Sequence, residues 1–470
     1  MANFSEKITK GFKRFLPNPF TIAIFLTVIT YVLALILTKP TSQSVLNYSW
    51  YLIESWETGL WDSSKGGLYF AFQMMMMLVL GHCLALSSPI SFLMDRILVY
   101  CKNTVSSALV ITISVFIMGL LNWGLGLIFG AILARKIGEK FQGLKRPINF
   151  GLIVACGYIG MMVWHGGLSG SAPTKVMEDD YLTNMVTEFS IHNLSEEQLV
   201  APFEKTVGSG MNIFAAFFLL ILISITVFLL AKYTKNETVP EINKQETKKE
   251  NQLVQTKNLL GAEKLDRNKW FGTIIGIALL FFGLIKILNY EGTSSLGFIQ
   301  PNFINYCLFG LCLFFHKSIY QFLQAIQEAI SDISGILIQF PLYFGILAIM
   351  KSSGLIVLFS EVLIEHASAS TLPIYTFFSA GLVNFFVPSG GGQWAIQGPI
   401  ILQAAAELQA DIPKSIMAMA YGDQLTNMLQ PFWALPLLGI TKIEAYKILP
   451  YTFLFFFVGL LSFIMALLIF

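Results

Sequence analysis

Charge is what this chain has least of. Of its 470 residues only 12% are charged, 30 basic and 28 acidic, against 55% hydrophobic. A soluble domain ordinarily carries about twice that share of charge on its surface, and a mean hydropathy of +0.66 excludes a water-soluble globular protein. The net charge of +2 points to no particular partner, and no nucleic acid is expected. Only five cysteines are present (Cys83, Cys101, Cys156, Cys307 and Cys312). They lie in or beside apolar segments without C-x-x-C spacing, so they read as small packing residues rather than as a disulfide framework or metal site. H-E-x-x-H and G-x-S-x-G are missing, and no paired acids mark a hydrolytic pocket. "GLGLIFG" and "SGGG" lack the G-K-[ST] ending and the strand–turn–helix context of a phosphate loop. An enzyme is therefore not expected, and neither is a cofactor or a bound metal beyond Na⁺.

Apolar runs of about 18 residues or more, each long enough to cross a hydrocarbon core of about 30 Å as a helix, recur along the whole chain. "FTIAIFLTVITYVLALIL" at 20–37 is one. The protein reads as an all-α polytopic membrane protein in a lipid bilayer. The basic N-terminal "KITKGFKRFLPNP" leads into an apolar segment too long for a signal peptide and without an A-x-A site, so an uncleaved first helix is expected. The run "QMMMM" (73–77) reads as packing or lipid-facing surface. "SIYQFLQAIQEAISDI" (318–333) gathers Ile319, Phe322, Leu323, Ile326, Ile330 and Ile333 on one face, as an interfacial helix would.

The basic segments "ARKIGEKFQGLKRP" (134–147), 95–103 and the Lys-rich 232–269, together with the N-terminus, fall on the cytoplasmic side by the positive-inside rule. The acidic 175–205 falls outside, with 38–67 and 290–300. Segment 104–134 has cytoplasmic-type flanks at both ends, so it reads as a hairpin that turns at "LLNWGLG", where Asn122 and the glycines interrupt the helix. Crossings then follow at 148–170, 208–231, 270–289, 302–316 and 333–350. A second hairpin over 372–408, turning at "VPSGGGQW", and crossings at 413–440 and 449–470 complete the chain. Residues 1–231 form a first repeat, 232–269 a charged cytoplasmic linker, and 270–470 a linking helix and second repeat. Three matches support a duplication: Ser87 with Ser352, Asn122 with Asn384, and Tyr158 with Tyr421, at offsets of 265, 262 and 263 residues. The parity makes the copies inverted.

Non-helical backbone at membrane depth survives only where protein or a polar cavity satisfies it, and transporters use such breaks to hold ions. Two hairpin tips meeting near the midplane would build a site, with Ser389 and Gln393 adding side-chain donors. Polar interruptions follow both hairpins. "WHGGLSGSAP" (164–173) offers His165, Ser169 and Ser171, and "YGDQLTNMLQP" (421–431) offers Asp423, Gln424, Thr426 and Asn427. Asp423 lies about ten residues, or roughly 15 Å, inside its span. It reads either as a coupling-ion ligand or proton carrier, or as a structural partner of nearby polar groups. His165 reads either as a group that donates to a bound carboxylate or titrates near neutrality, or as a packing histidine. One negative charge could be held by hydroxyls, amides and helix ends without a central Lys or Arg, a co-transported cation lowering the desolvation cost. Trp164, Phe386 and Trp394 could accept a short tail.

"NWGLGLIFGAILAR", "VWHGGLSGSAP" and "NFFVPSGGGQWAIQGP" resemble the bacterial short-chain fatty acid transporter family, of the acetoacetate and butyrate uptake type, over nearly the whole chain. That family belongs to the ion-transporter superfamily. The resemblance implies a scaffold and an elevator-type transport domain, two inverted repeats each with a re-entrant hairpin, and a homodimer in the bacterial inner membrane with a cytoplasmic N-terminus. It also implies that Asn122, Asn384, Ser389 and Gly390 line the substrate and cation sites. The expected function is symport of a small monocarboxylate with H⁺ or Na⁺. Substrate contacts would come from Asn122, Trp164, His165, Ser169, Asn384, Ser389, Gly390 and Gln393, and cation coupling from Asn122, Asn384, Asp423, Thr426 and Asn427. A dicarboxylate or amino-acid carrier on the same fold is the nearest alternative. A membrane sensor or enzyme is the alternative from another class.

Overall fold

The computed structural model describes all residues except 1–18, 62–66, 237–260, 291–297, 331–333, 385–386, 388 and 431–432. Most of the expected linker 232–269 and the expected tail contact Phe386 therefore lie outside the described residues. So do the basic N-terminal flank and Ile333. The regular elements among the described residues are helices. In the first half they are α1 (Pro19–Leu37), α2 (Val45–Leu60), α3 (Gly67–Ala85), α4 (Ser88–Leu98), α5 (Thr104–Leu121), α6 (Trp123–Gly143), α7 (Phe150–Cys156), α8 (Ser171–Lys175), α9 (Tyr181–Glu188) and α10 (Gly210–Tyr233). After α11 (Ala262–Asp266) come α12 (Lys269–Leu288), α13 (Pro301–His316), α14 (Ile319–Ala329), α15 (Ser334–Ser353), α16 (Leu355–His366), α17 (Leu372–Asn384), α18 (Gly390–Leu408), α19 (Ile412–Thr426), α20 (Leu435–Thr441) and α21 (Ala445–Ile469).

Four of these, α5, α10, α12 and α21, are long and apolar enough to cross a membrane, and α3 with α4 forms a further apolar pair bent by 59°. Their outward faces are greasy. On α10, Ile213, Phe217, Ile221 and Ile225 are each about half exposed and recur every fourth residue, so they share one stripe. A soluble protein would bury such a stripe; a bilayer solvates it. Segment 148–170 is not one continuous helix, in keeping with the polar interruption expected at 164–173. After α7 the chain breaks into short 3₁₀ turns at Ile159–Met162 and Trp164–Gly166 before α8. Segment 413–440 is likewise broken, by a 3₁₀ turn at Asn427–Leu429 after α19. α14 buries Phe322, Ala325 and Ala329 while Leu323 and Ile330 are half exposed, so its packed face is rotated from the expected one.

Packing buries the second leg of each hairpin, α6 and α18, while the first legs α5 and α17 keep an exposed apolar face. α5 lies along α6, α17 lies along α19, and α10 packs on α5 and α21. At the periphery α15 packs on α1 and α2, and α12 and α3 both pack on α13. The first leg of each hairpin approaches the segment after it through glycines. A Cβ on Gly119 would sit 2.7 Å from the Gly160 Cα, and one on Gly381 would sit 3.5 Å from the Gly422 carbonyl oxygen. These pairs share the offset of Asn122 and Asn384, 262 residues.

Candidate functional site

At the first hairpin the whole break is one residue. The Asn122 N–H donates to the Met118 carbonyl and ends α5, while its carbonyl accepts from Gly126 and begins α6. Its side-chain Oδ1 accepts from the Leu125 N–H at 2.8 Å, the N-cap bond that a helix start requires. That bond also fixes the amide's orientation, because only an oxygen can receive an N–H. Nδ2 therefore points elsewhere, buried and without a partner. Trp123 follows. Its backbone N–H donates to Ser169 Oγ at 2.8 Å, and its ring lies 5.8 Å from that of Trp164. Both indole N–H groups are buried and unpaired. The neighbourhood of the first break thus holds three unpaired groups, all donors.

The second break is wider and holds unpaired groups of the opposite kind. Asn384 ends α17, and Ser389, five residues on, caps α18 through Oγ accepting from the Gly392 N–H at 3.3 Å. Asn384 Nδ2 donates toward the Asp423 carbonyl (2.7 Å), Thr426 Oγ1 (2.9 Å) and Asn427 Oδ1 (3.1 Å). Gln430 Nε2 donates to the Asn384 carbonyl (2.6 Å) and Gln393 Nε2 to the Ala380 carbonyl (2.8 Å). Each amide is oriented by carbonyls that can only accept. The remaining oxygens, Asn384 Oδ1, Gln393 Oε1 and Gln430 Oε1, are buried without partners around the last turn of α17.

Between the two breaks lies a buried pair, His165 with Asp423, in which Nδ1 bonds Oδ2. His165 Nε2 accepts from the Ala172 N–H at 3.1 Å, so the ring is neutral and its proton sits on Nδ1, directed at the carboxylate. The ring stacks on Trp164 at 4.5 Å. Gln424 Oε1 accepts from both the His165 and Gly166 N–H groups, at 3.0 and 3.1 Å, which pins the broken first-half segment onto α19. Gly390, the first residue of α18, closes over this junction. A Cβ there would stand 2.6 Å from Trp164, 2.8 Å from His165 and 3.0 Å from Asp423 Oδ2. The positive end of α18 therefore abuts the one buried carboxylate of the region.

Asn384, Asp423, Thr426 and Asn427 thus share one network, while Asn122, Trp164 and Ser169 surround the first break. His165, Gly390 and Ser389 stand at the join. Gln393 belongs to the acceptor group. Trp394 does not face the site. It is fully buried, and its indole donates to Tyr181 at 3.1 Å on the side of α9; one step along a helix from Gln393 turns it by about 100°. Lys175 is buried but ion-paired with Glu178 at 2.5 Å, and it donates to Gln73. Sequence reasoning passed over Trp123 and Gln430. Trp123 carried a signal, as the residue after a cap inside the "NWGLG" break. Gln430 sat unremarked in a stretch already singled out.

An all-helical membrane protein with two broken-helix hairpins converging on buried polar groups is built as a transporter. Two solved transporters share the fold. One is YdaH from Alcanivorax borkumensis, with a TM-score of 0.53 and 16% identity, covering 95% of this chain and 98% of that one. The other is MtrF from Neisseria gonorrhoeae, described with a class of antimetabolite efflux pumps, with a TM-score of 0.55 and 14% identity over 98% and 97%. At such identity the likeness carries the fold alone. The chain belongs to the short chain fatty acid transporter family, whose pattern it matches over residues 1–470. Relatives from Escherichia coli and Haemophilus influenzae, both named for short-chain fatty acid transport, are each 34% identical. The first alignment covers 96% of both chains, and the second covers 94% of this chain and 93% of its relative.

Proposed function

We propose that the protein imports short-chain monocarboxylates such as butyrate or acetoacetate by alternating access, each with a coupling cation, Na⁺ or H⁺. The observation that carries this reading is the sorting of unpaired buried groups into donors at the first break and acceptors at the second. A buried N–H left unpaired is costly, and a carboxylate, which only accepts, would relieve Asn122, Trp123 and Trp164 together. Amide oxygens suit a hard cation and do not titrate, which favours Na⁺ over H⁺ at the second hairpin. With Lys175 committed to Glu178, the region offers no spare positive charge for a second carboxylate. That favours a monocarboxylate over a dicarboxylate.

On this reading the hairpins are re-entrant, the halves are inverted repeats, and the His165–Asp423 pair joins the anion and cation sites. The domain carrying them moves as an elevator within a homodimer in the bacterial inner membrane, with the N-terminus cytoplasmic. The test is uptake of labelled butyrate into proteoliposomes under a Na⁺ gradient and, separately, a pH gradient. Accumulation driven by either gradient, and lost in Asp423→Asn, supports the proposal and names the ion. Uptake of a dicarboxylate or amino acid instead of butyrate would overturn the substrate. Butyrate leaving against both gradients would overturn the direction.

A further inference from the structure

Beside the second hairpin lies a cavity of about 540 Å³ that the transport reading does not use. It is bounded by α1, α15, α16, α17 and α18, and its lining includes Ile29 and Val362. Both of these are just over half exposed and stand among other exposed apolar residues of the same helices, such as Phe25 and Val28 on α1 and Val357 on α16. The cavity therefore opens onto the lipid-facing surface. Water does not suit it. At about 30 Å³ per molecule it would take roughly eighteen waters, each wanting two to four polar partners, and only Thr30, Thr376, Ser379 and Gln397 among its lining residues are polar. Two of those are engaged with each other, Gln397 Nε2 donating to Ser379 Oγ at 3.1 Å. Thr376 is 1% exposed, yet its hydroxyl has no partner. A four-carbon acid would fill only a fraction of the space.

We propose that this cavity holds one long acyl chain drawn from the bilayer, its carbonyl or carboxyl oxygen accepting from the Thr376 hydroxyl. An extended apolar tail matches the walls, and one oxygen near its end matches the buried, unpaired Thr376 hydroxyl. The occupant lies between both legs of the second hairpin and the helices α1, α15 and α16, so it fills the surface along which that hairpin would slide. The chemistry fits equally an acyl chain of a phospholipid or a free long-chain fatty acid.

The test reconstitutes the full chain in phosphatidylcholine vesicles holding either a diazirine-bearing palmitic acid or a phosphatidylcholine with the diazirine on one acyl chain. After irradiation, adducts are mapped by peptide mass spectrometry. Adducts at Ile29, Val383 and Ile400 are expected well above those at the outward-facing Phe217 and Ile221, and the arm that produces them names the source. Val383→Trp, or Ile400→Phe should that variant not fold, fills the cavity and removes the excess while Phe217 and Ile221 stay labelled. Thr376→Val deletes one hydrogen bond and lowers retention of the palmitic probe by about tenfold, the equivalent of one such bond. Three results would each overturn the proposal: labelling no higher than at Phe217 and Ile221, labelling insensitive to the filling variants, or displacement by excess butyrate.

Discussion

The two hairpins solve one problem in different ways. At the first, Asn122 alone ends one helix and caps the next. At the second, Asn384 ends α17 and Ser389 caps α18 five residues later. The sign of what is left over follows from which helix end each amide serves. A helix start presents spare N–H groups and a helix finish presents spare carbonyls. Asn122 serves a start, gives its oxygen to Leu125, and keeps a free N–H group. Gln393 and Gln430 serve a finish, give their nitrogens to the Ala380 and Asn384 carbonyls, and keep free oxygens. Asn384 does likewise toward α19. A donor site and an acceptor site thus come from one residue chemistry, divided by helix polarity.

The strongest way to break this contrast is to cut the pair that joins the two sides. His165→Leu leaves the Asp423 carboxylate buried without its donor, the loss of a hydrogen bond to a charged group worth about 1.5 to 3 kcal/mol. It should lower the thermal midpoint and abolish uptake. Asp423→Asn keeps an acceptor for Nδ1–H, so the fold should persist while gradient-driven accumulation disappears. A variant that still accumulates butyrate would remove the pair from the coupling.

The contrast sharpens if the halves are damaged separately. Trp123→Phe or Asn122→Ala removes a donor to a charged group, worth about 1.5 to 3 kcal/mol, and should raise the KM for butyrate by roughly ten- to a hundredfold with the Na⁺ dependence unmoved. Gln430→Leu should do the reverse, weakening activation by Na⁺ while the KM for butyrate at saturating Na⁺ is nearly kept. If both variants move both constants alike, the donor and acceptor groups are not separate sites.

Gly390→Ala places a methyl against Trp164, His165 and Asp423, and overpacking of this kind costs about 1 to 3 kcal/mol. Uptake should fall about tenfold or more, with little loss of folded protein by size-exclusion profile. Wild-type uptake would show that the α18 start does not close on the pair. Ser389→Ala is the mildest change. It removes one cap, about 1 kcal/mol, and should shift the thermal midpoint only slightly. Asn122→Ala, which loses cap and donor together, should shift it more.

Much of the site was legible because breaks are local events. Asn122 in "NWGLG" and Ser389 before three glycines interrupt apolar runs, and that is visible without any neighbour. Asp423 declared itself by its depth in an apolar segment. The neighbours did not. His165 and Asp423 are 258 residues apart, and no periodicity links them. Trp394 sits in the right stretch yet points to Tyr181, because side-chain direction depends on helix rotation. How early the helix breaks in 148–170 was not legible either: Gly157 and Gly160 pack closely on Gly130 and Gly119, and from Ile159 the chain winds as 3₁₀ turns instead of one straight helix.

By itself the sequence determined that the protein lives in a bilayer, where its helices break and which polar residues stand at the breaks. These follow from composition and from the backbone's need to satisfy its own hydrogen bonds in hydrocarbon. Only the tertiary structure decided which polar atoms remain unpaired, and therefore that donors gather at one break and acceptors at the other. That outcome depends on contacts between segments hundreds of residues apart, which settle which end of each amide is already taken.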